Sequence, residues 1–223
     1  MNFQPGTVHN RDLPAALDYH TKPRPISPWS LRYRVLKKLF DIGFSILALP
    51  LIALTAFALL LLNPFFNPGP LFFRQLRMGL GGRKFTLLKF RTMSVSSRNV
   101  RAHDDPVEDE RITKFGKYLR RTRIDEWPNF FNVLKGEMSV VGPRPSPDDE
   151  NQYCPAWRDV RLSVRPGITG LWQLKRRREP GEDFQEWIKY DIQYVQRASL
   201  KLDISIMLRT MVLMLTGRDS KCD

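Results

Sequence analysis

The longest apolar run of the chain covers residues 42–62, which read IGFSILALPLIALTAFALLLL. About twenty residues at a rise of 1.5 Å each form a helix of roughly 30 Å, the thickness of a bilayer core. A helix buried in a soluble domain rarely lacks polar side chains over such a length. The pattern therefore predicts a helix that enters a membrane.

Pro50 lies inside this run, where it predicts a kink or a break in the helix. Basic residues flank the run on both sides: Arg32, Arg34, Lys37 and Lys38 before it, and Arg74, Arg77, Arg83 and Lys84 after it. Because basic flanks favour the cytoplasmic side, a hairpin broken at Pro50 that enters and leaves on one face suits both flanks. A straight span is the alternative, and it places one basic flank on the opposite side.

Apolar and basic residues alternate along residues 71–93, on both sides of the glycine-rich residues 79–82. This alternation predicts a β-hairpin with a loose turn. A phosphate cradle is the alternative role for the glycines, but no lysine followed by Ser or Thr stands at the P-loop spacing. Lys89 and Arg91, at the end of the second strand, are the better candidates for contact with an anion.

Helical periodicity marks three further segments. Residues 115–122 predict a short, basic, amphipathic helix suited to anionic lipid headgroups. Residues 184–194 predict a helix in which Asp191 shares a face with aromatic residues and needs a partner, for which an arginine is suited. Residues 202–215 are apolar but interrupted by polar residues, and they either pack on the domain or lie in the membrane interface.

Two segments predict irregular structure. Residues 94–110 are polar and rich in acidic residues, which predicts a mobile surface loop, with a metal site as the alternative. Residues 165–173 predict a turn-rich loop that carries Arg165, a candidate for contact with phosphate or substrate, and one aromatic residue prone to exposure, Trp172.

The formal net charge of +13 and the pI near 10.1 indicate an anionic partner. Nucleic acid, a phospholipid surface and a phosphorylated substrate all satisfy that requirement. The two cysteines, Cys154 and Cys222, match no zinc-binding spacing, and the three histidines are scattered along the chain. Any bound metal is therefore expected to be a hard cation held by carboxylates and phosphate.

The chemistry is concentrated in residues 122–145, which read TRIDEWPNFFNVLKGEMSVVGPRP. Asp125 and Glu126 stand just before a predicted helix that has Pro128 in its first turn and ends at Gly136. A helix N-terminus favours anions, whether side-chain carboxylates or a bound phosphate. An acidic pair in this position is most often an N-cap, but here it is surrounded by arginines: Arg120, Arg121, Arg123 and Arg144.

Five sequence motifs resemble those of the bacterial sugar transferases known as small, monotopic phosphoglycosyl transferases. In chain order they are FRQLRMGLGGRKFTLLKFRTM, RITKFGKYLRRTRIDEWPNFFNVLKGEMSVVGPRP, RPGITGLWQ, KYDIQYV and SLKLD. The resemblance extends from about Lys37 to the C-terminus. Without a large N-terminal region of several spans, the chain resembles the minimal catalytic form of the family.

The resemblance implies transfer of a sugar 1-phosphate from a UDP-sugar to a polyprenyl phosphate, with release of UMP. It implies that Asp125 is the nucleophile, that Glu126 assists with Mg²⁺ or with protons, and that both carboxylates hold Mg²⁺. Arg144 matches a phosphate-binding position and Arg120 is a second candidate. Pro50 matches the helix-breaking proline of the family's re-entrant membrane helix.

The expected fold is α+β and mainly helical, with a re-entrant membrane helix, a small β-hairpin and interfacial amphipathic helices. We expect a flexible tail over residues 1–30, the membrane hairpin over residues 31–66, and a catalytic domain over residues 67–223. That domain is expected on the cytoplasmic face of a bacterial inner membrane, without a nucleic-acid partner, and a homodimer stays open. The rival hypothesis is a non-enzymatic, membrane-attached binder of nucleic acid or of another anionic polymer. The lack of a recognisable nucleic-acid module counts against that hypothesis.

Overall fold

The computed structural model describes residues 29–95, 111–147, 155–175 and 183–216. Most of the predicted tail and most of the predicted acidic loop lie outside the described residues. Apart from two short 3₁₀ helices, these ranges contain eleven α-helices and β-strands: α1 (Leu31–Phe66), β1 (Phe72–Met78), β2 (Lys84–Phe90), α2 (Lys114–Arg121), α3 (Asn129–Leu134), β3 (Ser139–Val141), α4 (Pro155–Leu162), β4 (Gly167–Thr169), α5 (Leu171–Lys175), α6 (Asp183–Arg197) and α7 (Leu200–Thr216). The protein is mainly helical, as the sequence predicts.

The long helix α1 has two different faces. Its buried residues recur every four or seven positions, which places them on one side of a helix; they are Lys37, Asp41, Ser45, Ile52, Leu59 and Asn63. The other side is apolar and exposed, with Leu47 at 76% and Phe65 at 81% of full exposure. Only 17% of the residues in its most apolar part are buried inside the protein. These properties support membrane association rather than a core helix.

Pro50 does not break α1, because the backbone stays helical from Leu31 to Phe66. Pro50 itself is exposed, so it lies away from the face that contacts the rest of the protein. Contacts occur near both ends of the helix: Asp41 accepts hydrogen bonds from Ser139 and from the backbone of Val140, and the ring of Phe66 lies 5.5 Å from that of Phe115. The prediction that both ends of α1 return to one membrane face stays a prediction.

Strands β1 and β2 form the predicted antiparallel hairpin, paired from Phe72 with Phe90 to Met78 with Lys84. The turn between them is a short 3₁₀ segment, in which Gly81 and Gly82 have φ values of 65° and 76°. Side chains other than glycine rarely adopt such values, so these two glycines make the tight reversal possible. The turn interpretation of this glycine-rich segment is confirmed.

The core of the domain surrounds a parallel pair of short strands, β3 and β4. Buried apolar residues from α6 and α7 pack around them, including Ile188, Ile192, Val195 and Ile206. The prediction of a turn-rich loop over residues 165–173 is wrong, since this segment supplies both β4 and the start of α5. Trp172, predicted to be prone to exposure, is only 5% exposed. The strand pairing and the burial both depend on distant parts of the chain.

A buried polar network joins α1 to the core. Asp203 is fully buried, and one of its oxygens accepts hydrogen bonds from the Tyr33 hydroxyl at 2.8 Å and from Lys37 Nζ at 2.9 Å. The Tyr194 hydroxyl donates to the other oxygen at 2.7 Å. Lys37 Nζ also donates to the carbonyl of Val141, at the end of β3. The sequence places Lys37 among the basic residues that flank the apolar run. In the structure it is buried, and its hydrogen bonds attach α1 to β3 and α7.

Helix α2 packs against the segment after β2 at a position where only glycine fits. A Cβ atom on Gly116 would lie 1.9 Å from the carbonyl oxygen of Thr92. We therefore expect Gly116→Ala to lower the free energy of unfolding by about 2 kcal/mol or more, since overpacking against backbone cannot be relieved by a rotamer change. Chemical denaturation in detergent micelles measures this loss.

Gly43→Ala is the matched control, because a Cβ atom at Gly43 meets nothing within 4 Å and this glycine lies within α1. Alanine at that position should leave stability unchanged or raise it by up to about 1 kcal/mol. Equal effects of the two substitutions would contradict the close contact between α2 and Thr92.

Candidate active site

Asp125 and Glu126 lie in a one-turn 3₁₀ helix, Ile124–Glu126, between α2 and α3. The chain enters this turn through Arg123, whose φ of 55° and ψ of 15° are left-handed. In the part of the chain that the structure describes, no other residue except glycine has a positive φ. Such a conformation is strained for an L residue and tends to occur at functional sites. The predicted position of the two acids just before a helix is confirmed.

The carboxyl group of Asp125 is buried, with 7% of the residue exposed. Burial and the neighbouring charge of Glu126 raise the pKa of Asp125 to about 7, against the opposing effects of Lys89 and Arg120. The carboxyl group of Asp125 therefore changes between its protonated and ionised forms near neutral pH.

Glu126 behaves differently although it is the next residue. Burial alone would raise its pKa, but the positive charges of Lys89, Arg144 and Arg123 outweigh burial and hold the pKa of Glu126 below its usual value. Its Oε1 lies 2.6 Å from Lys89 Nζ, in an ion pair whose side chains are about one-quarter exposed. Adjacent carboxyl groups with opposite pKa shifts are typical of sites at which the two groups have different chemical roles.

Cations from separate elements surround the acidic pair. Lys89 comes from β2, and Arg120 comes from α2, where its Nε donates to the Thr92 hydroxyl at 2.8 Å. Arg144 follows β3 and its guanidinium lies 5.0 Å from the centre of the Trp172 ring, within the range of a cation–π contact. The structure thus brings three of the predicted cations into the electrostatic environment of the pair.

Arg91 and Arg165 have structural contacts that sequence reasoning missed. Arg91 is buried, and its guanidinium donates to the carbonyls of Asn67 and Pro70 in the segment after α1. Arg165 is exposed, and its Nε donates to the carbonyl of Gly136 just beyond α3. The contacts of both residues tie loops to helix ends, and their predicted contacts with phosphate stay predictions.

Residues 32–217 match the family model described as bacterial sugar transferase. The chain belongs to this family. The match includes α1, the hairpin, the acidic pair and every cation discussed above.

Two relatives of this bacterial sugar transferase have undecaprenyl phosphate in their names. It is 40% identical over 200 residues to the UDP-glucose:undecaprenyl-phosphate glucose-1-phosphate transferase of Caulobacter vibrioides. The aligned region covers 87% of this chain and 73% of that protein. It is 38% identical over 190 residues to the UDP-N-acetylgalactosamine-undecaprenyl-phosphate N-acetylgalactosaminephosphotransferase of Aeromonas hydrophila, covering 83% and 45%.

A third relative is the galactosyl transferase CpsE of Streptococcus agalactiae, which is 43% identical over 164 residues, covering 69% of this chain and 36% of that protein. The bacterial sugar transferase described here thus spans less than half of the length of the Aeromonas and Streptococcus relatives.

The donor set of this bacterial sugar transferase fits a magnesium ion shared with substrate. Among the described residues no group of three or more His, Cys, Asp or Glu side chains could enclose a metal. Asp125 and Glu126 are adjacent, and their mutual repulsion contributes to the raised pKa of Asp125. Mg²⁺ is usually bound by one or two carboxylates together with substrate phosphates, which is the arrangement that this pair could complete.

The raised pKa of Asp125 predicts an effect on stability. In metal-free protein, Asp125→Asn is expected to increase the free energy of unfolding at pH 8 by a few kcal/mol and to change it little at pH 4. The pKa rises from 3.8 to about 7 on folding, so between these values the folded protein keeps a proton that the unfolded chain has lost. Stability of the unsubstituted protein therefore falls as pH rises through this window, by about 1.36 kcal/mol per pKa unit.

Chemical denaturation with EDTA at pH values from 4 to 8 measures this difference. Glu137→Gln is the control, because Glu137 is a partly exposed carboxylate outside the acidic pair, and a glutamine amide oxygen can still accept its hydrogen bond from Asn132 Nδ2. If Asp125→Asn lowered the free energy of unfolding at pH 8, that result would contradict the raised pKa of Asp125.

Proposed function

We propose that the protein transfers a sugar 1-phosphate from a UDP-sugar to a polyprenyl phosphate and thereby initiates the assembly of a bacterial polysaccharide. The observation that carries this proposal is the buried Asp125 beside the ion-paired Glu126, among cations supplied by β2, α2 and the loop after β3. The activities named for the Caulobacter and Aeromonas relatives support the same reaction class.

In the proposed reaction a carboxylate oxygen of Asp125 attacks the phosphorus that bears the sugar. The bond from this phosphorus to the bridging oxygen breaks, and UMP leaves with that oxygen. The sugar phosphate is then joined to Asp125 as an acyl phosphate. An oxygen of the polyprenyl phosphate attacks the same phosphorus, which forms the polyprenyl diphosphate sugar and restores the carboxylate of Asp125.

Charge is the main obstacle to this attack, because a carboxylate must approach a diphosphate that is already negative. Arg120 and Arg144 would bind phosphate oxygens, while Lys89 keeps Glu126 ionised and oriented. Asp125 and Glu126 would hold Mg²⁺, which would supply further neutralisation of phosphoryl charge. Asp125 has to be deprotonated for the attack, and its pKa near 7 makes that form accessible at neutral pH.

The membrane location completes the proposal. The exposed apolar side of α1 would lie in the bilayer of the bacterial inner membrane and hold the domain at the cytoplasmic face. There the soluble nucleotide sugar and the lipid-borne phosphate can both reach Asp125. The buried contacts of Lys37 and Asp41 support this arrangement, since they attach the membrane helix directly to β3, the strand that precedes Arg144 in the chain.

A two-stage assay in nanodiscs tests the proposal. Purified protein is incubated in buffer containing Mg²⁺ with UDP-glucose, UDP-galactose, UDP-N-acetylglucosamine or UDP-N-acetylgalactosamine, first without and then with undecaprenyl phosphate. We expect at most one UMP per protein in the first stage, with a sugar phosphate attached to the peptide that contains Asp125, and repeated turnover in the second. Absence of UMP with every donor would overturn the proposed function. Turnover without any labelled protein would overturn the covalent route alone.

A further inference from the structure

Arg161 of α4 and Asp191 of α6 form a buried ion pair in which Arg161 Nε lies 3.0 Å from Asp191 Oδ2. Their side chains are 4% and 1% exposed. Sequence analysis predicts an arginine partner for Asp191, and the structure confirms it. Replacing such a pair by apolar residues is often neutral or favourable for stability, so stability alone is a weak explanation for it.

Two further hydrogen bonds of the pair involve the backbone of Arg144. Arg161 Nη2 donates to the carbonyl oxygen of Arg144 at 2.9 Å, and Asp191 accepts a hydrogen bond from the Arg144 backbone N–H. Arg161 Nη1 also donates to the hydroxyl of Ser146 at 3.2 Å. Both polar backbone groups of Arg144 are therefore held by one ion pair.

The sequence around Arg144 strengthens this hold. Pro143 and Pro145 stand on either side of it, and each fixes its own φ and restricts the residue before it. With its backbone fixed, Arg144 extends its side chain across the Trp172 ring, and its positive charge lowers the pKa of Glu126. The direction of this side chain is thus determined by residues that do not themselves contact the acidic pair.

We propose that Arg161 and Asp191 are positioning residues that hold the Arg144 guanidinium against the Trp172 ring, in the electrostatic environment of Glu126. This inference rests on the proposed function for its activity measurement. A displacement of about 1 Å in a substrate-binding group can lower turnover by about 10²-fold. Loss of the ion pair therefore acts through Arg144 and leaves the reacting carboxylates unaltered.

The first experiment measures amide hydrogen exchange and needs no substrate. Residues 142–147 read GPRPSP, so only Gly142, Arg144 and Ser146 have exchangeable amides there. Asp191→Asn should accelerate exchange of the Arg144 amide by at least about tenfold. The Gly142 amide, which donates to the Thr169 carbonyl at 2.9 Å, is the internal reference and should keep its rate. Unchanged exchange at Arg144 would overturn the inference.

The second experiment is a double-substitution cycle on UMP release. We expect Asp191→Asn to lower kcat by about 10²-fold with a smaller change in KM for the UDP-sugar. In protein that already carries Arg144→Ala, the same substitution should lower activity less than about threefold. Equal factors in both backgrounds would assign the pair a purely structural role and overturn the inference.

Two further variants keep the result decisive. Ser146→Ala removes one hydrogen bond of Arg161 but neither backbone contact of Arg144, so its activity should stay within about threefold of the unsubstituted protein. Arg161→Lys keeps the positive charge but lacks the planar fork, and it replaces Asp191→Asn in both experiments if that variant does not fold. If the unsubstituted protein releases no UMP from any donor, the proposed function fails, and the exchange experiment alone decides whether the pair fixes Arg144.

Discussion

Replacing Asp125 by asparagine is expected to lower UMP release by about 10⁴-fold or more, because an amide oxygen cannot replace a carboxylate as the nucleophile. The substitution is nearly isosteric and removes a buried ionisable group, so the loss cannot be attributed to unfolding. Steady-state release of UMP with undecaprenyl phosphate measures the effect. The first-stage assay should also show no sugar phosphate on the protein.

Two further substitutions of carboxylates serve as comparisons for Asp125→Asn. Glu137→Gln removes a carboxylate outside the acidic pair and should retain nearly full activity. Glu126→Gln should leave a detectable attached sugar phosphate, because it removes the ion-pair partner of Lys89 but keeps the nucleophile. If Asp125→Asn stays within tenfold of the unsubstituted protein while Glu126→Gln abolishes labelling, the nucleophile is Glu126.

Replacing Asp203 by alanine is expected to have the largest effect on stability, a loss of about 3–5 kcal/mol in the free energy of unfolding. Asp203 is fully buried and is the acceptor for Lys37, Tyr33 and Tyr194. Its removal leaves a buried ammonium group without its ion-pair partner and takes one acceptor from each of the two hydroxyl groups, of which Tyr194 keeps the Val141 carbonyl. Denaturant titration in detergent micelles measures the loss.

Lys201→Ala is the matched control, because Lys201 is an exposed residue of the same helix, two positions before Asp203. A surface substitution of this kind is expected to change stability by no more than about 0.5 kcal/mol. A loss below about 1 kcal/mol for Asp203→Ala would show that the network contributes little to the attachment of α1.

Local patterns predicted the elements near the site. The apolar run, the alternation around the hairpin glycines and the proline before α3 each specify structure within a few residues, and the predicted helix, hairpin and helix start are confirmed, although Pro50 does not break α1. The requirement for an arginine beside Asp191 also follows from local reasoning, since a carboxylate on a buried face needs a partner. The identity of that arginine does not follow from local reasoning, because Arg161 is 30 residues away from Asp191 in sequence.

Long-range contacts account for the remaining differences. In the sequence Lys37 cannot be distinguished from the exposed basic residues that flank the apolar run. Only its contact with Asp203 shows that it is buried. Trp172 became a buried platform for Arg144 because β3 and β4 pair in parallel and bring residues 139–145 beside residues 167–173. The left-handed turn at Arg123 has no sequence signal, since Gly, Asn or Asp would be the expected residues there.

The pairing of Lys37 with Asp203 has a consequence for the order in which the protein is made. The two residues are separated by 166 positions, so at about 5–20 residues per second a ribosome reaches Asp203 roughly ten to thirty seconds after Lys37. During that interval Lys37 lacks the carboxylate of Asp203, and Asp41, four residues further along α1, is the nearby carboxylate already present. The membrane helix can thus enter the bilayer and contact β3 first, but its ion pair with α7 forms only when that last described helix has been synthesised.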